Sequence, residues 1–172
     1  MHIDFFKNLA EKENGKFYFS DGNMSFTDGS RIPDVTYQVK FVYKGNKFEL
    51  NNRTGVSFEA QCYCNLNDNL KPSEFEIECI SHFKKLFLRK QHRLKIKSED
   101  PALHSFIVNN KYFKQLGELG VKEDFSPAIS CSKSDAGNWY LTATYHLEFN
   151  NYTQVISPLI DFYKSVIDRF GS

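Results

Sequence analysis

The stretch YTQVISPLIDFYKSVIDRF, residues 152–170, decides how the rest of the chain is read. Tyr152, Val155, Ile156, Leu159, Ile160, Phe162, Tyr163, Val166, Ile167 and Phe170 recur in steps of three and four. That spacing gathers them on one broad face of a helix. Thr153, Gln154, Asp161, Lys164, Ser165, Asp168 and Arg169 fall elsewhere, and Gly171 suits the position just past a helix end. Pro158 admits two layouts. Either Ser157 caps a helix whose first residue is Pro158, or a longer helix kinks at the proline. Under both, the wide stripe must cover apolar surface.

Working outward, most of the remaining chain supplies strands for that helix to cover. Asn138 to Phe149 alternates Trp139, Leu141, Ala143, Tyr145, Leu147 and Phe149 with Tyr140, Thr142, Thr144, His146 and Glu148, the period of a half-buried strand. Val35 to Tyr43 alternates in the same way, Lys44-Gly45-Asn46 turns the chain, and Lys47 to Asn51 returns it. A further strand carries Val56, Phe58, Ala60, Cys62 and Cys64 on one face. Nearer the start, Lys16 to Ser20, Asp21-Gly22 and Met24 to Thr27 read as a small hairpin, since Asp-Gly supplies a type I′ turn. Asp28 to Asp34 is then expected to be a loop.

Residues 3–13 predict a peripheral amphipathic helix with Ile3, Phe6, Leu9 and Ala10 on one side. Residues 74–90 carry two patterns. Glu74, Glu76 and Glu78 alternate with Phe75, Ile77 and Cys79, as in a strand. Ser73-x-x-Glu76 is also a capping box, and Phe75, Cys79, Phe83 and Phe87 recur every four residues, as on a helix. The reading adopted is a strand over 74–79 followed by a short helix over 81–90. Arg93 to Ser98 is a strand with Leu94 and Ile96 inward. A helical pair spans 100–119, followed by a strand over Phe125 to Cys131 and a turn at Ser134 to Gly137.

Composition bounds the function. The chain has 172 residues, 41% of them apolar, with 17 Phe and 9 Tyr that favour strands. One domain over 1–172 with a filled core is expected, and residues 1–14 form its edge. A net charge of +1 argues against a protein whose whole surface is built for nucleic acid or anionic lipid. No run of apolar residues approaches a membrane span, and the N-terminus lacks the pattern of a secretory signal. With four cysteines, reduced thiols and a cytoplasmic location are expected.

The run Arg93-Leu94-Lys95-Ile96-Lys97-Ser98-Glu99-Asp100-Pro101-Ala102-Leu103 resembles a pattern in bacterial proteins of unknown function. In those proteins an extended segment ends in Ser-x-Asp-Pro, and a helical pair, a hairpin and a last amphipathic helix follow. The resemblance covers about residues 74–170. It implies the same layout here and brings no catalytic residue with it. Some of those proteins carry membrane helices upstream, whereas residues 1–73 of this sequence hold no apolar run of that length.

Two constellations carry candidate chemistry. Cys62-x-Cys64 with Cys79-x-x-His82 supplies four soft ligands of the kinds zinc accepts. The same cysteines continue the face of Val56, Phe58 and Ala60, and free cysteine packs as a small hydrophobe, so core packing is the first reading. Lys84, Lys85, Arg89, Lys90, Arg93, Lys95 and Lys97 form a basic run with no acid between Glu78 and Glu99. One reading is a patch for an anion or partner. The other is charge pairing across adjacent strands, with Glu74, Glu76 and Glu78 facing Arg93, Lys95 and Lys97. The histidines are scattered, and His146 stands on the polar face of its strand. No nucleophile elbow, zincin motif or glycine-rich phosphate loop occurs, so no cofactor is expected.

The expected architecture is α+β: a largely antiparallel, aromatic-rich sheet covered by the C-terminal helix and the central helical pair. The leading functional expectation is a small soluble non-catalytic binding domain with a protein partner. A lipid or other small apolar ligand held between sheet and helix is the alternative. Nucleic acid ranks lower as a partner, and an enzyme whose dispersed side chains converge in space ranks third.

Overall fold

A computed structural model of the chain describes residues 2–25, 27–80, 93–123, 125–149 and 151–172. Eight strands form one antiparallel sheet: β1 (Lys16–Ser25), β2 (Arg31–Tyr43), β3 (Asn46–Thr54), β4 (Glu59–Asn65), β5 (Phe75–Cys79), β6 (Leu94–Lys97), β7 (Ala128–Lys133) and β8 (Trp139–His146). The helices among the described residues are α1 (His2–Lys12), α2 (Pro101–Asn109), α3 (Lys111–Lys122) and α4 (Ile156–Phe170). The fold is α+β.

The spatial order is β1-β2-β3-β4-β8-β7-β5-β6. The first four strands are a meander. The chain then crosses to build β5 and β6 at the far edge, and β7 and β8 close the gap between the two halves. Because β8 is the last strand and sits beside β4 near the middle, α4 leaves from the centre of the sheet. It is thereby positioned to pack across both halves.

Register sorts the two faces. One row runs through all eight strands as Phe17, Val39, Leu50, Cys62, Ala143, Ile129, Ile77 and Ile96, every member apolar. The helices pack on this side. In α4, Ile156, Leu159, Ile160, Phe162, Tyr163, Val166 and Ile167 are buried. Phe162 meets the rings of Phe75 and Phe113, and Tyr163 lies 6.2 Å from Phe48. Phe6 of α1 stacks on Tyr37 at 4.9 Å. Burial of such side chains is worth about 1.5–3 kcal/mol each before ordering entropy is subtracted.

Pro158 takes neither of the two layouts that the sequence offers. A short 3-10 turn, Tyr152–Val155, feeds into α4, and Pro158 is the third helical residue. No side chain caps this start. Within the first turn the missing proline N–H removes no intrahelical bond, so the helix enters without a break.

The expected hairpin at Asp21-Gly22 is also corrected. β1 continues through these residues, with Asp21 opposite Val35 and Gly22 opposite Asp34. The turn falls at Asp28-Gly29, where Gly29 has φ 83° and the Ser30 N–H and hydroxyl donate to Asp28 Oδ1. Two Asp-Gly pairs compete, and the second leaves a longer ladder paired. Consequently Arg31 to Asp34 belongs to β2 rather than to a loop. The Lys44-Gly45 turn is as expected, with φ 49° and 80° at its two residues.

Two strand starts shift as well. β4 begins at Glu59, and Phe58 is 45% exposed instead of facing the core. β7 begins at Ala128, while Phe125 lies ahead of it, buried edge-on against Tyr145 at 5.1 Å. β5 and β6 fall within their expected ranges. The helix expected over 81–90 lies outside the described residues. The first helix of the pair opens at Ser-x-Asp-Pro as expected, with Asp100 accepting from the N–H groups of Ala102 and Leu103; the second is capped by Asn110, which accepts from those of Tyr112 and Phe113.

Candidate functional site, the open face of the sheet

Alternation that sends apolar side chains to the helices sends the intervening residues to the opposite face. A second row crosses all eight strands there: Lys16, Lys40, Glu49, Tyr63, Thr142, Ser130, Glu76 and Lys97. None is aliphatic. The four helices lie on the other side, so among the described residues this face has no helical cover.

The face is cross-linked by its own side chains. Gln38 donates to Glu49 at 3.0 Å and to Asn51 at 2.7 Å, and Asn51 donates to Glu49 at 3.1 Å. Lys40 pairs with Glu49 at 3.1 Å. The Asn51 amide, and after it Lys40, hold the Glu49 carboxyl below its ordinary value. The hydroxyls of Ser130 and Thr142 are 2.8 Å apart. Arg53 grips Asp34 through two parallel bonds of 2.7 and 2.8 Å.

Near the middle, the rings of Tyr63 and Tyr140 are 4.9 Å apart on adjacent strands. Burial, then a hydrogen bond to Tyr140, pushes the Tyr63 phenol up to about 12. The bond from Tyr63, and then one from Asn138, lowers the Tyr140 phenol.

Depressions mark the same face. One of about 550 Å³ lies over β1 to β4 and is lined by Lys16, Tyr18, Lys40, Lys47, Glu49 and Tyr63. Another, of about 910 Å³, lies where β5, β6 and β7 meet the start of α2, among Ser73, Glu76, Lys97, Ser98, Asp100 and Ser130. A third, of about 300 Å³, adjoins His146, which stands opposite Glu59.

The basic run of the sequence divides. Lys84, Lys85, Arg89 and Lys90 lie outside the described residues. Lys95 stands opposite Glu78, and Lys97 pairs with both Glu76 and Glu78. Arg93 leaves the expected exposed row: it is 8% exposed and its Nε donates to the Ile80 carbonyl at 3.0 Å. Its position just ahead of β6 frees it from the strand's alternation.

The four proposed metal ligands are not seen together. Cys62 and Cys64 point into the core, Cys79 is half-buried at the end of β5, and His82 lies outside the described residues. Burial pushes the Cys62 and Cys131 thiols up to about 12 and raises that of Cys64 further. Among the described residues no group of three or more His, Cys, Asp or Glu side chains is placed to hold a metal ion. No described helix is long and apolar enough to cross a membrane.

Tyr18, Lys40, Tyr63 and Tyr140 were not singled out from the sequence. Strand parity puts each on the outward face, which was legible. The pairing of β4 with β8, which sets Tyr63 beside Tyr140, was not. Comparison of the chain with protein-family models, with curated proteins and with solved structures returns no match.

Proposed function

We propose that the chain is a small non-catalytic binding domain that engages its partner through the open face of the sheet. The observation that carries this reading is the asymmetry of the two faces. Four helices and an apolar row occupy one side, while a polar, tyrosine-bearing row of eight residues occupies the other. A sheet face that only needed solvation would gain little from an aromatic pair in which Tyr63 is 37% exposed and Tyr140 half-buried, whereas tyrosine is enriched where proteins bind.

An apolar ligand between sheet and α4 gains no support, because Leu50, Cys62, Leu141, Ala143, Leu159 and Tyr163 fill that layer at 1% exposure or less. The test is affinity capture followed by mass spectrometry, comparing wild type with Tyr63→Ser/Tyr140→Ser and with Arg169→Ala on α4. Partners lost only with the open-face variant support the reading. Partners retained by it and lost with Arg169→Ala overturn the reading.

A further inference from the structure

We propose that the depression over β1 to β4 binds single-stranded nucleic acid. This deepens the reading of the open face as a binding surface and rests on it. Three lysines converge on the depression, Lys16, Lys40 and Lys47, with Glu49 as the acid among them. Lys16 and Lys40 are direct cross-strand partners. Like charges placed opposite one another cost stability, a cost that an anion bound over them would offset. Lys40 spends its charge on Glu49, whereas Lys16 and Lys47 form no ion pair among the described residues. The net local charge is therefore positive although the chain as a whole is near neutral.

The second component is aromatic. Tyr18 is 47% exposed and Tyr63 37% exposed, and both line the same depression. Their phenol rings offer flat faces on which bases stack irrespective of sequence, while lysines track the phosphates. β1 and β4 are three strand spacings apart, about 14 Å, too far for one base to stack on both tyrosines. A chain of nucleotides fits that separation better than a mononucleotide. Duplex is disfavoured, because its bases are already stacked and present no free faces to a sheet.

Fluorescence anisotropy with a labelled oligothymidylate of about twelve nucleotides tests the proposal, since single-strand sites of this kind span about 4–16 nucleotides. At about 50 mM salt, wild type is expected to bind in the micromolar range. Lys16→Ala/Lys47→Ala is expected to weaken binding and reduce the slope of log K against log salt by about 1.4. Tyr63→Leu is expected to lose about tenfold, and Tyr63→Phe to retain binding, since the ring does the stacking. Lys7→Ala on α1 is the charge control and should change nothing, with melting curves confirming that every variant folds.

Undetectable binding by wild type overturns the proposal, as does an equal loss in Lys7→Ala, or competition by thymidine monophosphate as effective as by the oligomer. Capture of a protein that depends on Tyr63 and Tyr140, with no oligonucleotide bound, overturns it too. That last result leaves the broader reading of the open face standing, so the two failures are distinguishable.

Discussion

Lys164 of α4 forms an ion pair with Glu13, just beyond α1, and only 19% and 7% of the two side chains is exposed. The same ammonium lies 5.2 Å from the Tyr43 ring centre and 5.8 Å from that of Phe41. One cation thus joins the first helical segment, the last helix and β2. Lys164→Met should destabilise the fold by about 2–3 kcal/mol, because it leaves the Glu13 carboxylate shielded and uncompensated. Lys164→Met/Glu13→Gln should recover much of the loss. Urea denaturation of both variants checks this, and a double variant as unstable as the single one would show that packing, not charge, sets the cost.

Acid should weaken the fold from about pH 4 downward. Asp34 and Asp100 both titrate below the ordinary aspartate value of 3.8. For Asp34 the main cause is the hydrogen bond from Arg53, and for Asp100 the N–H of Leu103 at the start of α2. A carboxyl group whose folded value is depressed contributes its full stabilisation above the unfolded value and loses it as pH falls through the folded one. Asp100→Asn keeps a competent helix cap but cannot titrate. Its melting temperature should therefore fall less steeply between pH 4 and pH 2 than that of wild type, which thermal scans at stepped pH will show.

How much was legible follows from the range of each interaction. α4 was readable because its contacts repeat every three or four residues, and Lys44-Gly45 because one turn sets the whole β2–β3 register. Strand parity alone placed Tyr63 and Tyr140 on the outward face. What parity lacks is neighbour identity: nothing local says that β8 inserts between β4 and β7 and so brings those tyrosines together. The Asp-Gly choice failed for a related reason. Asp21-Gly22 and Asp28-Gly29 have the same local chemistry, and the length of ladder offered by β2 separates them. Arg93 was misplaced because it lies one residue outside β6, where its guanidinium turns to the Ile80 carbonyl.

The cysteines should differ sharply in reactivity. The thiolate is the attacking species, and burial raises the thiols of Cys62 and Cys131 to about 12, with Cys64 raised as well. Cys79 is half-buried at the end of β5, beyond the residues that pair with β7. Iodoacetamide at about pH 8 should therefore modify Cys79 first, with all four cysteines modified only after unfolding. Peptide mass mapping over time reads the order. Early labelling of Cys62 or Cys64 would mean that the central strands open readily, contrary to their position under α4.

Two glycines with positive φ should respond differently to the same substitution. Gly29, at the tip of the β1–β2 hairpin, has φ 83° and no heavy atom within 4 Å of where a Cβ would stand. Gly29→Ala meets only the backbone penalty, about 1 kcal/mol. Gly55 has φ 112°, and a Cβ there would overlap the carbonyl of Pro33. The added Cβ meets backbone at that point, so no flexible side chain can swing aside, and either the β3–β4 connection or the start of β2 must move. Gly55→Ala should cost more than about 2 kcal/mol. Because Arg31 to Asp34 pairs with β1 and extends past the last β3 partner, Thr54, the displacement should also loosen the hairpin end. Amide exchange is therefore expected to quicken at Gly22 to Ser25 in Gly55→Ala and to change little there in Gly29→Ala. Equal stability losses in the two variants would mean that Pro33 does not press on Gly55, and that the outer end of the hairpin is held by its own ladder alone.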